Sequence, residues 1–334
     1  MLLNPAILAL LLVSAVVLLM VIMAGLFAIR LLLHWDIDSG SERQLRLERR
    51  TYLISTMMSW IFAFELLSLL LFVYTAESLS GQFVGAMCAT GVLNANAWGW
   101  PTLFLKITLF FGGALWLALN GLDNRGYDYP LIRRKYVLLL LLVPLVAAEV
   151  VSQLRFFLGL SPNIITSCCG TLFSSTAQGV AAEVSTMPPN TMAWALALSG
   201  VAVLVSGLGY LKWRRGASLL ALTSIIAFVT ALLAVVSLLS PYIYEHPHHH
   251  CPFCILKSGH GYVGYLLYIP LFGATAFGLA AAATAVWRKI PSLKTCGSIT
   301  LGYTRLSVVL FLFFYLISAW SVLSSNLVMQ GVWW

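Results

Sequence analysis

The sequence predicts an all-α, polytopic integral membrane bundle of about eight transmembrane helices, with both termini extracytoplasmic. Three observations predict it. Of 334 residues, 60% are hydrophobic and 9% charged, whereas a soluble domain carries roughly 25% charged residues, so lipid rather than water must cover the surface. Several apolar runs exceed the roughly 20 residues that cross a bilayer as a helix. Lys and Arg gather in alternate segments between those runs, as the positive-inside rule requires.

Backbone groups in lipid must be satisfied within a helix or a closed barrel. A barrel would show alternating stretches of about ten residues, but residues 136–145 are apolar without alternation. The first span, 5–33, lacks a basic segment before it and exceeds the 7–15-residue core of a signal peptide, so it is expected to be retained. The second, 53–76, follows a polar break at 36–40. The third, 102–122, follows Trp100-Pro101, and the fourth, 136–159, lies between Tyr129-Pro130 and Ser161-Pro162. The fifth, 191–211, follows Pro188-Pro189. The sixth is expected over 218–241, the seventh over 263–287 ahead of Ile290-Pro291, and the eighth over 305–330. Such Pro- and Gly-containing breaks are the strongest local punctuation a chain offers. The whole reads as one membrane domain, 1–334, with 1–135 and 136–334 as candidate sub-bundles.

Arg30, Arg43, Arg46, Arg49 and Arg50 lie in or near the first connection, and Arg125, Arg133, Arg134 and Lys135 in the third. Lys212, Arg214 and Arg215 occupy the fifth; Arg288, Lys289, Lys294 and Arg305 the seventh. The even connections hold almost none: Lys257, with Lys106 and Arg155 just inside neighbouring helix ends. Odd connections are therefore expected in the cytoplasm and even ones outside. Compact loops point to a prokaryotic plasma (inner) membrane. The net charge of +8 is topology information, and no basic patch with interleaved aromatics suggests nucleic acid.

The outward connections, 77–101, 160–190 and 242–262, are the long ones, and long loops in compact proteins are usually functional. Five of the six cysteines fall there: Cys88, Cys168, Cys169, Cys251 and Cys254; Cys296 alone falls on the cytoplasmic side. Disulfides persist outside the cytoplasm and are rare within it. Five is an odd number, which leaves at least one thiol outside any fixed pairing. Structural bridges with a spare thiol remain a competing reading. Neighbouring Cα atoms lie about 3.8 Å apart, below the usual range of about 4.4–6.8 Å for a disulfide. Cys168 and Cys169 are thus expected to pair elsewhere, with Cys251 or Cys88, or to bind a metal.

The densest site is Glu245-His246-Pro247-His248-His249-His250-Cys251-Pro252-Phe253-Cys254, followed by His260. A C-x-x-C at a helix start has its first thiolate stabilised by N-terminal amides and the helix dipole, which is chemistry for thiol–disulfide exchange. The same thiols, with His246, His248, His249, His250 and His260, are ligands for copper(I) or zinc. A solvated polar tract is the third reading. Haem attachment does not fit, because Ile255 stands where a c-type site has histidine.

Ionisable residues inside a membrane are functional candidates by default. Glu65 lies near the middle of the second span, Glu149 in the outer half of the fourth, and Lys106 near the outer level, where it can pair with Glu149. A proton relay, an ion or cofactor pathway, and helix–helix hydrogen bonding all use such groups. A short echo links them to cysteine: Glu65 precedes Cys88-Ala89-Thr90-Gly91-Val92-Leu93, and Glu149 precedes Cys169-Gly170-Thr171-Leu172-Phe173.

Residues 136–287, with Ser167-Cys168-Cys169-Gly170-Thr171-Leu172-Phe173 after their first helix and Cys251-Pro252-Phe253-Cys254 at the start of their fourth, resemble the vitamin K epoxide reductase family. More loosely they resemble the DsbB-type disulfide-generating membrane enzymes. The resemblance implies that Cys251 and Cys254 reduce a quinone and that Cys168 or Cys169 shuttles electrons from an extracytoplasmic thiol protein. The family's loop cysteines are spaced whereas these are adjacent, and the histidines, the four further helices and Cys88 lie outside its pattern.

The function expected is an integral membrane thiol–disulfide or electron-relay protein, with a quinone as acceptor. The alternative is a copper- or other soft-metal-handling protein that delivers an ion to an extracytoplasmic partner. A third reading is an anchor among other membrane subunits of a respiratory assembly.

Overall fold

A computed structural model describes residues 4–37, 39–161, 166 and 180–329. The described residues are 79% helical, with no strand among them. They include eight helices long and apolar enough to span a membrane, as a multi-pass integral membrane protein requires. Along α1 (Pro5–His34), Leu12, Leu19, Leu26 and Leu33 are all exposed. Repeated every seven residues, they form one apolar stripe, compatible with a covering of lipid.

The remaining helices are α2 (Glu42–Leu79), α3 (Ala89–Leu93), α4 (Gly99–Asp123), α5 (Ile132–Leu158), α6 (Val180–Ser185) and α7 (Pro189–Trp213). After them come α8 (Ala217–Ala234), α9 (Ser240–Tyr244), α10 (Val263–Ala285) and α11 (Cys296–Leu323). A π-turn, Val235–Leu239, joins α8 to α9, so that Ala217–Tyr244 forms a single span.

Two helices begin earlier than the apolar runs imply. Helix α2 starts at Glu42 rather than 53, because a helix continues beyond the lipid when its water-facing turns are charged; Arg46 lies 3.8 Å from Glu42 across one turn. Helix α11 starts at Cys296 rather than 305 and ends at Leu323. Its first turns are rich in Gly, Ser and Thr, which hide a helix from a hydropathy reading; buried Thr300 meets Thr284 of α10 at 3.0 Å.

The chain divides into two compact units. Unit 1 comprises Met1–Ser78, Leu93–Ile164 and Val286–Gly297. Its core is built by α5 packed on both α1 and α4, with Phe27, Phe62, Trp116 and Tyr136 buried together. Small residues bring these helices close, as is usual without a hydrophobic driving force between spans: a Cβ on Gly112 would lie 2.6 Å from Leu142.

Unit 2 comprises Leu79–Val92, Ile165–Ala285 and Ser298–Trp334. Here α8 packs on both α7 and α10. A Cβ on Gly278 would lie 2.3 Å from Ser224 Oγ, and one on Gly207 would lie 2.4 Å from Val308. The segment carrying Cys88 belongs to this unit although it precedes α4 in the chain.

Candidate functional site

Three of the loop cysteines meet. Cys88, Cys251 and Cys254 are buried in unit 2, and their sulfurs lie within 4.8 Å of one another. Cys88 Sγ is 3.2 Å from Cys251 Sγ. Cys168 and Cys169 lie outside the described residues. Cys296 opens α11 in unit 1 and takes no part in the group.

Cys88 is set by a tight fold in the chain before α3. Gly85 has φ +87°, and a Cβ there would sit 2.4 Å from the Thr166 carbonyl oxygen; only glycine meets both conditions. The Thr166 amide in turn donates to the Val84 carbonyl at 3.0 Å. The Cys88 carbonyl then accepts from the Gly91 amide at 3.0 Å, which starts α3. That turn places the Thr90 hydroxyl 3.4 Å from Cys251 Sγ.

Cys251 is set through its backbone. Its carbonyl accepts from the Tyr244 hydroxyl at 2.6 Å and from Ser240 Oγ at 3.2 Å. The next carbonyl, of Pro252, accepts from the Tyr268 hydroxyl of α10 at 2.7 Å. The loop rests on the first turn of α10, where a Cβ on Gly264 would lie 2.8 Å from Ile255 and from Leu256. The Lys257 ammonium donates to the Met87 carbonyl, tying the two cysteine-bearing segments together.

The expected helix start at the C-x-x-C is corrected. Cys251 lies in an irregular segment, Cys254 opens a three-residue 3-10 turn, and α10 begins only at Val263. So short a turn has no run of aligned peptide dipoles to lower a thiol's pKa. The Cys251 sulfur is buried and lies beside the Thr90 hydroxyl and the Cys88 sulfur.

The π-turn has a use at this site. Such turns free a carbonyl from the helical ladder and recur at functional sites. The Val236 carbonyl lies 3.0 Å from Nδ1 of His250, and since a carbonyl only accepts, that nitrogen carries the proton. Burial holds His250 below the ordinary histidine pKa, and the nearby His248 and His249 add to the effect. Burial also lowers His260, with His249 and Lys257 contributing.

The His249 ring stacks on Tyr244 at 4.1 Å, and His260 meets the same ring edge-on at 4.6 Å. The His248 amide donates to His246 Nδ1 at 3.3 Å. Among the described residues, the three sulfurs are the only group of three or more His, Cys, Asp or Glu side chains close enough to share an ion. None of the five histidines joins it.

Unit 1 holds the intramembrane charges. Lys106 Nζ on α4 lies 2.6 Å from Glu149 on α5 and 3.9 Å from Glu65 on α2. It donates to Ser68 Oγ at 2.6 Å, and the Phe72 ring lies 5.7 Å away. The expected pairing of Lys106 with Glu149 is therefore present, and Glu65 enters the same site. A charged carboxylate at the bilayer centre costs about 2.5–3.5 kcal/mol on insertion scales when unpaired.

A second buried pair escaped the sequence reading. Lys135, counted there with the cytoplasmic charges, is fully buried. Its ammonium lies 2.6 Å from Asp123 Oδ2 and donates to Asn120 Oδ1 at 2.9 Å. Asp123 also accepts from the Leu131 amide at 2.8 Å. A carboxylate at the end of one span and an ammonium at the start of the next was the only signal for it. Ser240, Tyr244, Tyr268 and Thr90 were also missed, since hydroxyls that position a backbone or touch a thiol have no motif. Comparison of the chain with protein-family models, curated proteins and solved structures finds no match.

Proposed function

We propose that the chain is an integral membrane thiol–disulfide oxidoreductase in which Cys251 exchanges partners with Cys88 and Cys254, facing the extracytoplasmic side of a prokaryotic plasma membrane. The observation that carries this reading is the 3.2 Å approach of Cys88 Sγ to Cys251 Sγ, with Cys254 within 4.8 Å of both. Exchange proceeds by attack of a thiolate on a disulfide sulfur, so it needs three sulfurs in mutual reach. Formation of one disulfide releases two electrons and two protons. A quinone accepts both and leaves as the quinol. An extracytoplasmic dithiol protein, reaching the site through Cys168 or Cys169, then reduces the disulfide and is itself oxidised.

Soft-metal handling is the second reading, and the same three sulfurs favour it as a donor set. Thiolates about 2.3 Å from a shared zinc ion stand about 3.8–4.0 Å apart. The 3.2 Å separation is shorter, which favours sulfur–sulfur chemistry.

The test is quinol formation by the full chain in liposomes, supplied with a reduced dithiol protein and a short-chain quinone. The expected result is turnover by the wild type and none by Cys251→Ser. If the wild type makes no quinol but binds one copper or zinc ion that Cys251→Ser loses, the metal reading replaces this one.

A further inference from the structure

Two carboxyl groups and one ammonium group share the buried site of unit 1, so the site as a whole does not balance when all three are charged. Lys106 Nζ lies 2.6 Å from Glu149 and satisfies that carboxylate. Glu65 is only 3% exposed, and its Oε1 has no hydrogen-bond partner; the ammonium stands off at 3.9 Å. A second anion with one oxygen left without a hydrogen bond in so dry a place shifts its protonation instead of keeping its charge. A bound metal cation is a poor alternative. It would sit beside the Lys106 ammonium, where like charges repel strongly at low dielectric, and Ser68 Oγ is already engaged by Lys106.

We infer that Glu65 is an intramembrane proton-binding site, holding one exchangeable proton per chain that the Lys106–Glu149 pair allows it to release and regain. The charged groups facing it are Lys106 from α4 and Glu149 from α5. Release gives the proton to water and leaves two carboxylates about one ammonium; a shift of Lys106 from Glu149 toward Glu65 shares its charge between them until a proton is regained from water. Glu65 is the member that takes the proton, because the ammonium holds Glu149 at 2.6 Å and Glu65 only at 3.9 Å. Asp123 and Lys135 in the same unit pair one carboxyl group with one ammonium group at 2.6 Å. The inference is independent of the sulfur chemistry of unit 2.

Infrared difference spectroscopy of the full chain in lipid, in light and heavy water, tests it. The expected wild-type spectrum at neutral pH contains one protonated-carboxyl band that shifts in heavy water. Glu65→Gln removes the band. Glu149→Gln removes it too, because Lys106 is left with Glu65 alone and pairs with it as a carboxylate. A Glu65→Gln spectrum that has lost a carboxylate band instead, or a carboxyl band unmoved by heavy water, overturns the inference. If a variant fails to fold, the wild type is treated with a hydrophobic carbodiimide, which modifies protonated buried carboxyls, and mapped by mass spectrometry. Modification of Glu65 that falls as pH rises supports the site, and an unmodified Glu65 at every pH overturns it.

Discussion

Asp123 and Lys135 close the α4–α5 connection one to one, whereas Lys106, some 25 Å along the same helix at 1.5 Å per residue, serves two carboxyl groups. In the first cluster the ammonium is 2.6 Å from Asp123 Oδ2 and donates to Asn120, and the Leu131 amide donates to Asp123 Oδ1. In the second, Glu65 Oε1 stands 3.9 Å from the shared ammonium. The sulfur group of unit 2 follows the second pattern, since Cys251 is in reach of both Cys88 and Cys254. A two-member cluster has one arrangement and acts as a clamp. A three-member cluster has more than one, and a group can pass from one partner to another.

The largest effect expected on this contrast is at the clamp. Asp123→Ala leaves Lys135 buried without its counter-ion and destabilises the fold by about 3–5 kcal/mol, read from thermal or denaturant unfolding in detergent. Glu149→Gln is expected to cost far less, about 1 kcal/mol, because Glu65 takes over the ammonium. Glu65→Gln is expected to cost less still, under about 1 kcal/mol, since it replaces a neutral carboxyl by a neutral amide of the same shape. Equal losses in all three variants would break the contrast.

At the sulfur site, Thr90→Val removes the hydroxyl 3.4 Å from Cys251 Sγ. A hydrogen bond of about 0.5–1.5 kcal/mol corresponds to a roughly 2- to 12-fold slower alkylation of Cys251, measured by timed labelling and mass spectrometry, with the other cysteines unchanged.

The smallest effect expected is a pH dependence at His250. Its folded-state pKa lies below the ordinary 6.5 because burial disfavours the cation. Between the folded value and 6.5 the unfolded chain binds more protons, so stability falls as pH drops below 6.5 and is fully present above it. His250→Gln is expected to flatten that acid slope in unfolding curves; an unchanged slope assigns it to another group.

Much of the fold was legible because lipid imposes a strong constraint: a span must be long, apolar and helical, and all eight appear. The start of α2 was not, because Glu42–Arg50 is helical in water, where charge no longer argues against a helix. The Lys106–Glu149 pair was legible from two opposite charges at a matched level of neighbouring spans. The Asp123–Lys135 pair was not, since a lysine beside Arg133 and Arg134 reads as one more solvated cation. The cysteine-bearing loops stood out by composition, but the approach of Cys88 to Cys251 spans 163 positions. It depends on Gly85, Thr166 and Lys257, none of which carries a motif. The helix-dipole expectation for Cys251 failed because spacing alone does not tell a 3-10 turn from a helix start.

The exchange of Cys251 between two partners is tested most directly by acid-trapping the wild-type chain from native membranes without reductant and mapping its cysteines by differential alkylation and mass spectrometry. The expected result is a mixture of disulfides that includes Cys88–Cys251 and Cys251–Cys254, with species linked to Cys168 or Cys169, all lost on reduction. If Cys88, Cys251 and Cys254 are alkylated to the same extent with and without reductant, or become reactive only after chelation, no disulfide is exchanged there and the oxidoreductase reading is contradicted.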